Sequence, residues 1–254
     1  MRAHGLTSLS PAPAAAREAS PAAGLARAAL HEFYAAAPAD GPAVTGALLA
    51  LARMAAPDSP ILWVRHAFVD RETGALYPPG VAELGLDPGR LTLVRARDIP
   101  SALQAGLEGA RCAALGAAVI ELWGEAKALD LTASRRLALA ARTSGTLVLM
   151  ARVAANPQPS AAETRWRIEA APSRALEANA PGDPSFSFTL LRHRGGLAPG
   201  EWRLEWSRDH ARFADRVPDA SPARTGPALP GAVVPFSADR PDPPGAAAPV
   251  RRAG

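Results

Sequence analysis

Four runs of consecutive apolar residues set the tightest limit on how this chain can fold. They are 61–64 (ILWV), 91–94 (LTLV), 117–122 (AAVIEL) and 146–150 (TLVLM). None alternates apolar with polar, so each reads as a strand covered on both faces, the situation of strands in parallel sheets. Helical stretches separate them. One is expected at about 43–56, with Val44, Leu48, Leu51 and Ala55 on one stripe, and others near 98–110 and 132–143. Thr132 is the expected N-cap of the last and Gly145 its stop. Strand and helix in alternation predict an α/β fold, a mostly parallel sheet flanked by helices on both sides.

Beyond Met150 the period changes. Trp166, Ile168 and Ala170 alternate with Arg165, Arg167 and Glu169. Phe186, Phe188 and Leu190 alternate with Ser187 and Thr189, and Trp202, Leu204 and Trp206 with Glu201, Arg203 and Glu205. A period of two with one polar face predicts half-exposed antiparallel strands at the C-terminal side of the sheet. A parallel sheet extended in this way is the layout of RecA-like domains. Residues 1–28, rich in Ala, Pro and Ser, read as a mobile arm, and 217–254, closing on "PDPPGAAAPVRR", as a Pro/Ala-rich disordered tail. Such segments bury too little apolar surface to offset their ordering entropy. The folded domain is expected over 29–216.

Composition narrows the functional classes. At 254 residues, 48% of them hydrophobic, the chain suits one sizeable domain. No apolar run approaches the roughly 18–20 residues that span a bilayer, and 1–21 lacks the order of a secretory signal, so a cytoplasmic protein is expected. The single cysteine, Cys112, permits neither an intramolecular disulfide nor a thiolate cluster, and is expected as a small buried residue. The five histidines show no metal-binding pair, so no metal and no cofactor is expected. The net charge is +4, and the pI of about 10.1 reflects bases that are nearly all arginine, Lys127 being the only lysine. Weak basicity points to a nucleic-acid or acidic-protein partner.

The segment Gly41-Pro42-Ala43-Val44-Thr45-Gly46-Ala47-Leu48 has the two glycines of a phosphate-binding loop at the start of a helix. A working loop continues with a lysine for the outer phosphates and a Ser or Thr for magnesium. Ala47 and Leu48 stand there instead, so the loop reads as degenerate, or else as two glycines met by chance in an Ala/Gly-rich chain. Lys127 follows a strand and belongs to no such loop, which leaves the chain without a lysine-based nucleotide site. The acidic half of the machinery is altered as well. Where a RecA-type ATPase carries an aspartate at a strand end to hold magnesium through water, this chain has Glu121. Glutamate could still hold a metal; the blander reading is a polar residue hydrogen-bonded to a neighbouring loop. Where the water-activating glutamate would stand, the chain has Arg65, which cannot act as a base at neutral pH. There is no Gly-x-Ser-x-Gly elbow and no paired-carboxylate motif. His66 could be a general base, although a lone histidine beside a strand end is more often structural. The sequence points to no catalytic residue and no enzyme.

Six stretches together resemble the ImuA family of RecA-related mutagenesis cassettes. They are "LHEFYAA" (30–36), "LWVRHAFVDRETGALYPPGVAELGLDPGRL" (62–91), "VIELWGEAKALDLTASRRLALAARTSG" (119–145), "TRWRIEAAPS" (164–173), "ANAPGDPSFSFTLLRHRGG" (178–196) and "WRLEWSRDHARF" (202–213). The resemblance implies a fold similar to RecA and to the cell-division inhibitor SulA. It also implies action beside ImuB, an inactive polymerase-like adaptor, and an error-prone polymerase in the SOS response. The departures at Ala47, Leu48 and Arg65 suit a relative that no longer cycles on ATP. RecA and single-stranded DNA are the further partners to weigh, and direct single-stranded DNA binding is the alternative function.

Three contact residues are expected. The alternation of Phe186, Phe188 and Leu190 continues to Arg192 and Arg194, so two guanidiniums should extend the apolar face, where RecA filaments look similar in carrying a basic pair that crosses a subunit boundary. They could grip an acidic protein surface or DNA phosphate, or simply be solvated. Arg203, Arg208, Arg212 and Arg216 interleave with Glu201, Glu205, Asp209 and Asp215 and read as a mixed surface. Trp63, Trp166, Trp202 and Trp206 read as core; Trp123, just past a strand end, is the candidate interface anchor.

Overall fold

His31 and Glu32 interrupt the apolar run of the first strand, β1 (Leu30–Ala35), which hides it from periodicity. Both are nevertheless buried, because β1 lies deep inside the sheet. The computed structural model describes residues 20–215, apart from 175, 178, 179 and 181. The expected tail, Arg216 and the first part of the expected arm, 1–19, lie outside the described residues.

The strands that follow are β2 (Ile61–His66), β3 (Leu91–Ala96), β4 (Ala117–Trp123), β5 (Leu147–Val153), β6 (Thr164–Ala171), β7 (Ser185–His193), β8 (Glu201–Ser207) and β9 (Arg212–Asp215). They form one sheet in the order β3-β2-β4-β5-β1-β6-β7-β8-β9. Every pairing from β3 to β6 is parallel, and β6–β7, β7–β8 and β8–β9 are antiparallel. This is the expected RecA-like layout of a parallel sheet with antiparallel strands on the C-terminal side. One detail differs: β6, expected among the antiparallel strands, is the seam, parallel to β1 and antiparallel to β7. Its alternation records a face left uncovered, not the direction of its neighbours.

The helices are α1 (Gly41–Ala55), α2 (Ala67–Thr73), α3 (Pro78–Glu83), α4 (Ile99–Arg111) and α5 (Leu131–Ser144). The stripe Val44, Leu48 and Leu51 of α1 packs on one face of the sheet with Trp63, Leu149, Trp166, Phe188 and Trp206. Ala102 of α4 and Leu137 of α5 cover the other face with Val64, Ile120 and Met150. The C-terminal strands carry their aromatics toward the α1 side as an edge-to-face cluster; Trp206 and Phe213 lie 5.1 Å apart and Trp166 and Trp202 5.5 Å. Trp63, Trp166, Trp202 and Trp206 are all buried, as expected. Ala170 is exposed despite its place in the alternation.

Local chemistry sets the helix ends. Asp98 caps α4, its Oδ1 accepting from the N–H of Ser101 at 2.8 Å. Asp130, rather than Thr132, caps α5 and accepts from the N–H of Ala133 at 2.7 Å; the helix therefore begins at Leu131. Gly145 ends α5 with φ 82°, the left-handed conformation a side chain disfavours. Cys112 is exposed, not buried: it lies just past α4, in the turn that leads into β4. Of the expected arm, 20–28 carry a 3-10 turn at Pro21–Ala23 with Ser20 and Pro21 buried, and Leu25 packs against the core. No helix among the described residues is long and apolar enough to cross a membrane.

Candidate functional site

Arg65 and Glu121 are direct cross-strand partners in the register of β2 and β4, on the face covered by α1. That register brings the two residues expected as an altered acidic site into one buried ion pair through Arg65 Nε and Glu121 Oε2. Glu121 also accepts from Trp63 Nε1 at 3.0 Å and from the hydroxyl of Thr45 on α1. The rest of the Arg65 guanidinium donates to Asp70 at 2.6 Å, the carbonyl of Gly74 at 2.7 Å and Thr73 Oγ1 at 2.9 Å. Asp70 in turn meets Arg95 at 3.0 Å. The carboxylate of Glu121 is therefore committed to three donors, one of them a cation. A hydrated divalent ion would have to displace the guanidinium and bear its repulsion, so the donor set does not suit magnesium. The partners of Glu121 lie on one neighbouring strand, β2, and on a helix, α1, not on the loop its blander reading supposed.

The glycine segment has no loop either. Gly41 is the first residue of α1, with φ −51° and ψ −49°, and Gly46, Ala47 and Leu48 continue the same helix. A phosphate cradle needs backbone N–H groups splayed around an anion ahead of the helix. Here Gly41 packs so closely on α2 that a Cβ would lie 2.6 Å from Thr73 Cγ2. Ala47 and Leu48 are wholly buried in the core beneath α1.

Trp123, the last residue of β4, is half-buried and lies 6.3 Å from the ring of Phe68, which is 40% exposed. His66, at the end of β2, also stacks on Phe68 at 6.3 Å, and burial lowers its pKa below the ordinary value. Its Nδ1 has no partner among the described residues. These residues make a small aromatic edge by α2.

Arg192 and Arg194 lie elsewhere. Three strands separate β7 from β4 in the sheet, so the structure does not bring the arginines to Trp123. Nor do they extend the apolar face. Leu190 pairs with Trp166, yet Arg192 pairs with Arg165, so two residues of β7 span one of β6. This bulge reverses the alternation, a shift that sequence spacing cannot reveal. Arg192 and Arg194 consequently point to the α5 side. There they meet Arg135 and Arg142 of α5 around a groove of about 400 Å³. A second depression, of about 300 Å³, shares Leu131, Ser160 and Arg192 with it and adds Arg165. Arg165 pairs with buried Glu32 at 3.1 Å and lies over the ring of Tyr34, as does buried Arg152.

Fold and site together define an α/β domain, RecA-like in its mostly parallel sheet with antiparallel C-terminal strands, whose buried Glu121 is taken up by protein contacts. No profile of a known protein family matches the chain. It is 35% identical over 182 residues to Protein ImuA of Caulobacter vibrioides, in strain NA1000 and equally in strain ATCC 19089; the alignment covers 64% of this chain and 72% of the relative. The chain belongs to the ImuA family.

Proposed function

We propose that the chain is a non-catalytic RecA-like accessory protein of SOS-induced mutagenesis and DNA damage tolerance. It acts through protein–protein contacts beside an ImuB-like adaptor and an error-prone DNA polymerase, with RecA as a further partner. The observation that carries the non-catalytic part is the buried network around Glu121, in which Thr45, Trp63 and Arg65 take up the carboxylate read as the altered metal-binding position. The helical state of Gly41–Ala55 supports it, since Ala47 and Leu48 lie buried within that helix and offer neither charge nor hydroxyl. Family membership supports the mutagenesis setting. The second reading, direct single-stranded DNA binding, draws on the arginines of the α5 groove.

Purified protein is expected to leave ATP unhydrolysed, with or without magnesium, and to take up no fluorescent ATP analogue. Turnover that disappears on Glu121→Gln would overturn the non-catalytic reading.

A further inference from the structure

We infer that the groove between α5 and the end of β7 is the docking site for an acidic, leucine-type peptide segment of a partner protein. The inference deepens the protein-contact reading and rests on it. Four guanidiniums, Arg135, Arg142, Arg192 and Arg194, line the groove, and no carboxylate does. None of the four has a salt-bridge partner among the described residues. Four unpaired like charges converging on one cleft favour an anionic occupant.

The apolar lining decides which anion. Leu131 and Leu139 are 40% and 59% exposed, and lie one turn either side of Arg135 on α5. Both line the same groove. An apolar side chain left in water beside arginines is matched by a ligand that carries carboxylates and apolar side chains at similar spacing. Arginine suits carboxylates because its planar fork takes both oxygens at once. Single-stranded nucleic acid fits less well: it binds by stacking bases on aromatic rings, and no aromatic residue lines this groove. The stretch from Leu131 to Arg142 spans about 16 Å at 1.5 Å per residue, and the second depression extends the track past Arg192. An extended segment of about five residues would span that stretch.

The test uses fluorescence anisotropy on the full chain with three labelled probes of about fifteen units each. One is a peptide mixing Asp and Glu with Leu, one an all-Glu peptide, and one an oligo-dT. The variants are Arg135→Glu with Arg142→Glu, and Leu139→Asp, all at exposed positions, with thermal melts confirming that each still folds. The mixed peptide is expected to bind at least about tenfold more tightly than either other probe, and each variant to weaken it about tenfold. Three results would overturn the inference: no binding of the mixed peptide, equal binding of all three anions, or affinity that the variants leave unchanged. Preferential oligo-dT binding lost in the same variants would make the groove a nucleic-acid site instead. Capture of the proposed partner proteins provides the separate check. If wild type captures them and the groove variants do so equally well, the groove assignment falls and the accessory role stands. If wild type captures none while the peptide result holds, the accessory role falls and the groove stands.

Discussion

At Arg65, one side chain completes a buried ion pair and fastens a helix. Its guanidinium neutralises Glu121 in the sheet and reaches Asp70, Thr73 and Gly74 at α2. Arg65→Met should destabilise the fold by about 3–5 kcal/mol in denaturant titration, because it strands a buried carboxylate. Adding Glu121→Leu should recover much of that loss; equal instability of the single and double variants would show that the charge pair is not the cause. His31 carries a second expectation. Trp166 Nε1 can only donate, so Thr164 Oγ1 accepts from it at 2.6 Å and turns its own proton to His31 Nδ1 at 2.7 Å. The other ring nitrogen, Nε2, then carries the proton given to the carbonyl of Ala26 at 2.9 Å. Burial lowers the folded pKa of this ring below its ordinary 6.5, so protons bind the unfolded chain first. The stability His31 contributes is complete above about pH 6.5 and is lost as pH falls through the folded value. Melting temperature should therefore drop between about pH 7.5 and about pH 5.5, and drop less in His31→Gln, which does not titrate. An identical drop in both proteins would refute this.

The elements differ in how plainly the sequence announces them. β2, β3, β4 and β5 could be read from apolar runs because strands covered on both faces have no polar side to show. β1 could not, since two of its buried positions hold His31 and Glu32, which meet partners far along the chain at Thr164 and Arg165. The pair at Arg65 and Glu121 was legible as two altered residues but not as a contact, because it depends on the register of two strands 56 residues apart. The arginine groove was half legible: spacing named Arg192 and Arg194, but the bulge in β7 decided their face, and Arg135 and Arg142 entered only through the packing of α5. The helical state of Gly41–Ala55 gives a direct prediction. Restoring a phosphate-loop pattern with Ala47→Lys and Leu48→Thr places an ammonium and a hydroxyl where both side chains are 0% exposed. The double variant should lose more than about 3 kcal/mol and gain no affinity for ATP. Nucleotide binding without loss of stability, measured by titration with a fluorescent analogue, would contradict it.

Across the whole molecule, the sheet separates two kinds of surface. The α1 side is consumed by the core, by the aromatic cluster of the C-terminal strands and by the network around Glu121. The α5 side, beyond its own apolar core, presents arginines and exposed leucines. An α/β frame with its buried carboxylate Glu121 tied up by protein contacts, and with an arginine-lined groove on the opposite side, suits the proposed role of a partner that binds other proteins. The most direct measurement is capture of a purified ImuB-like adaptor and of RecA by the full chain, with and without single-stranded DNA, at low and high salt. DNA-independent capture of either protein, weakened in the α5 groove variants, is the predicted result. Capture only through DNA and lost at high salt, where released counterions no longer favour phosphate contacts, would make this a nucleic-acid binder and contradict the account.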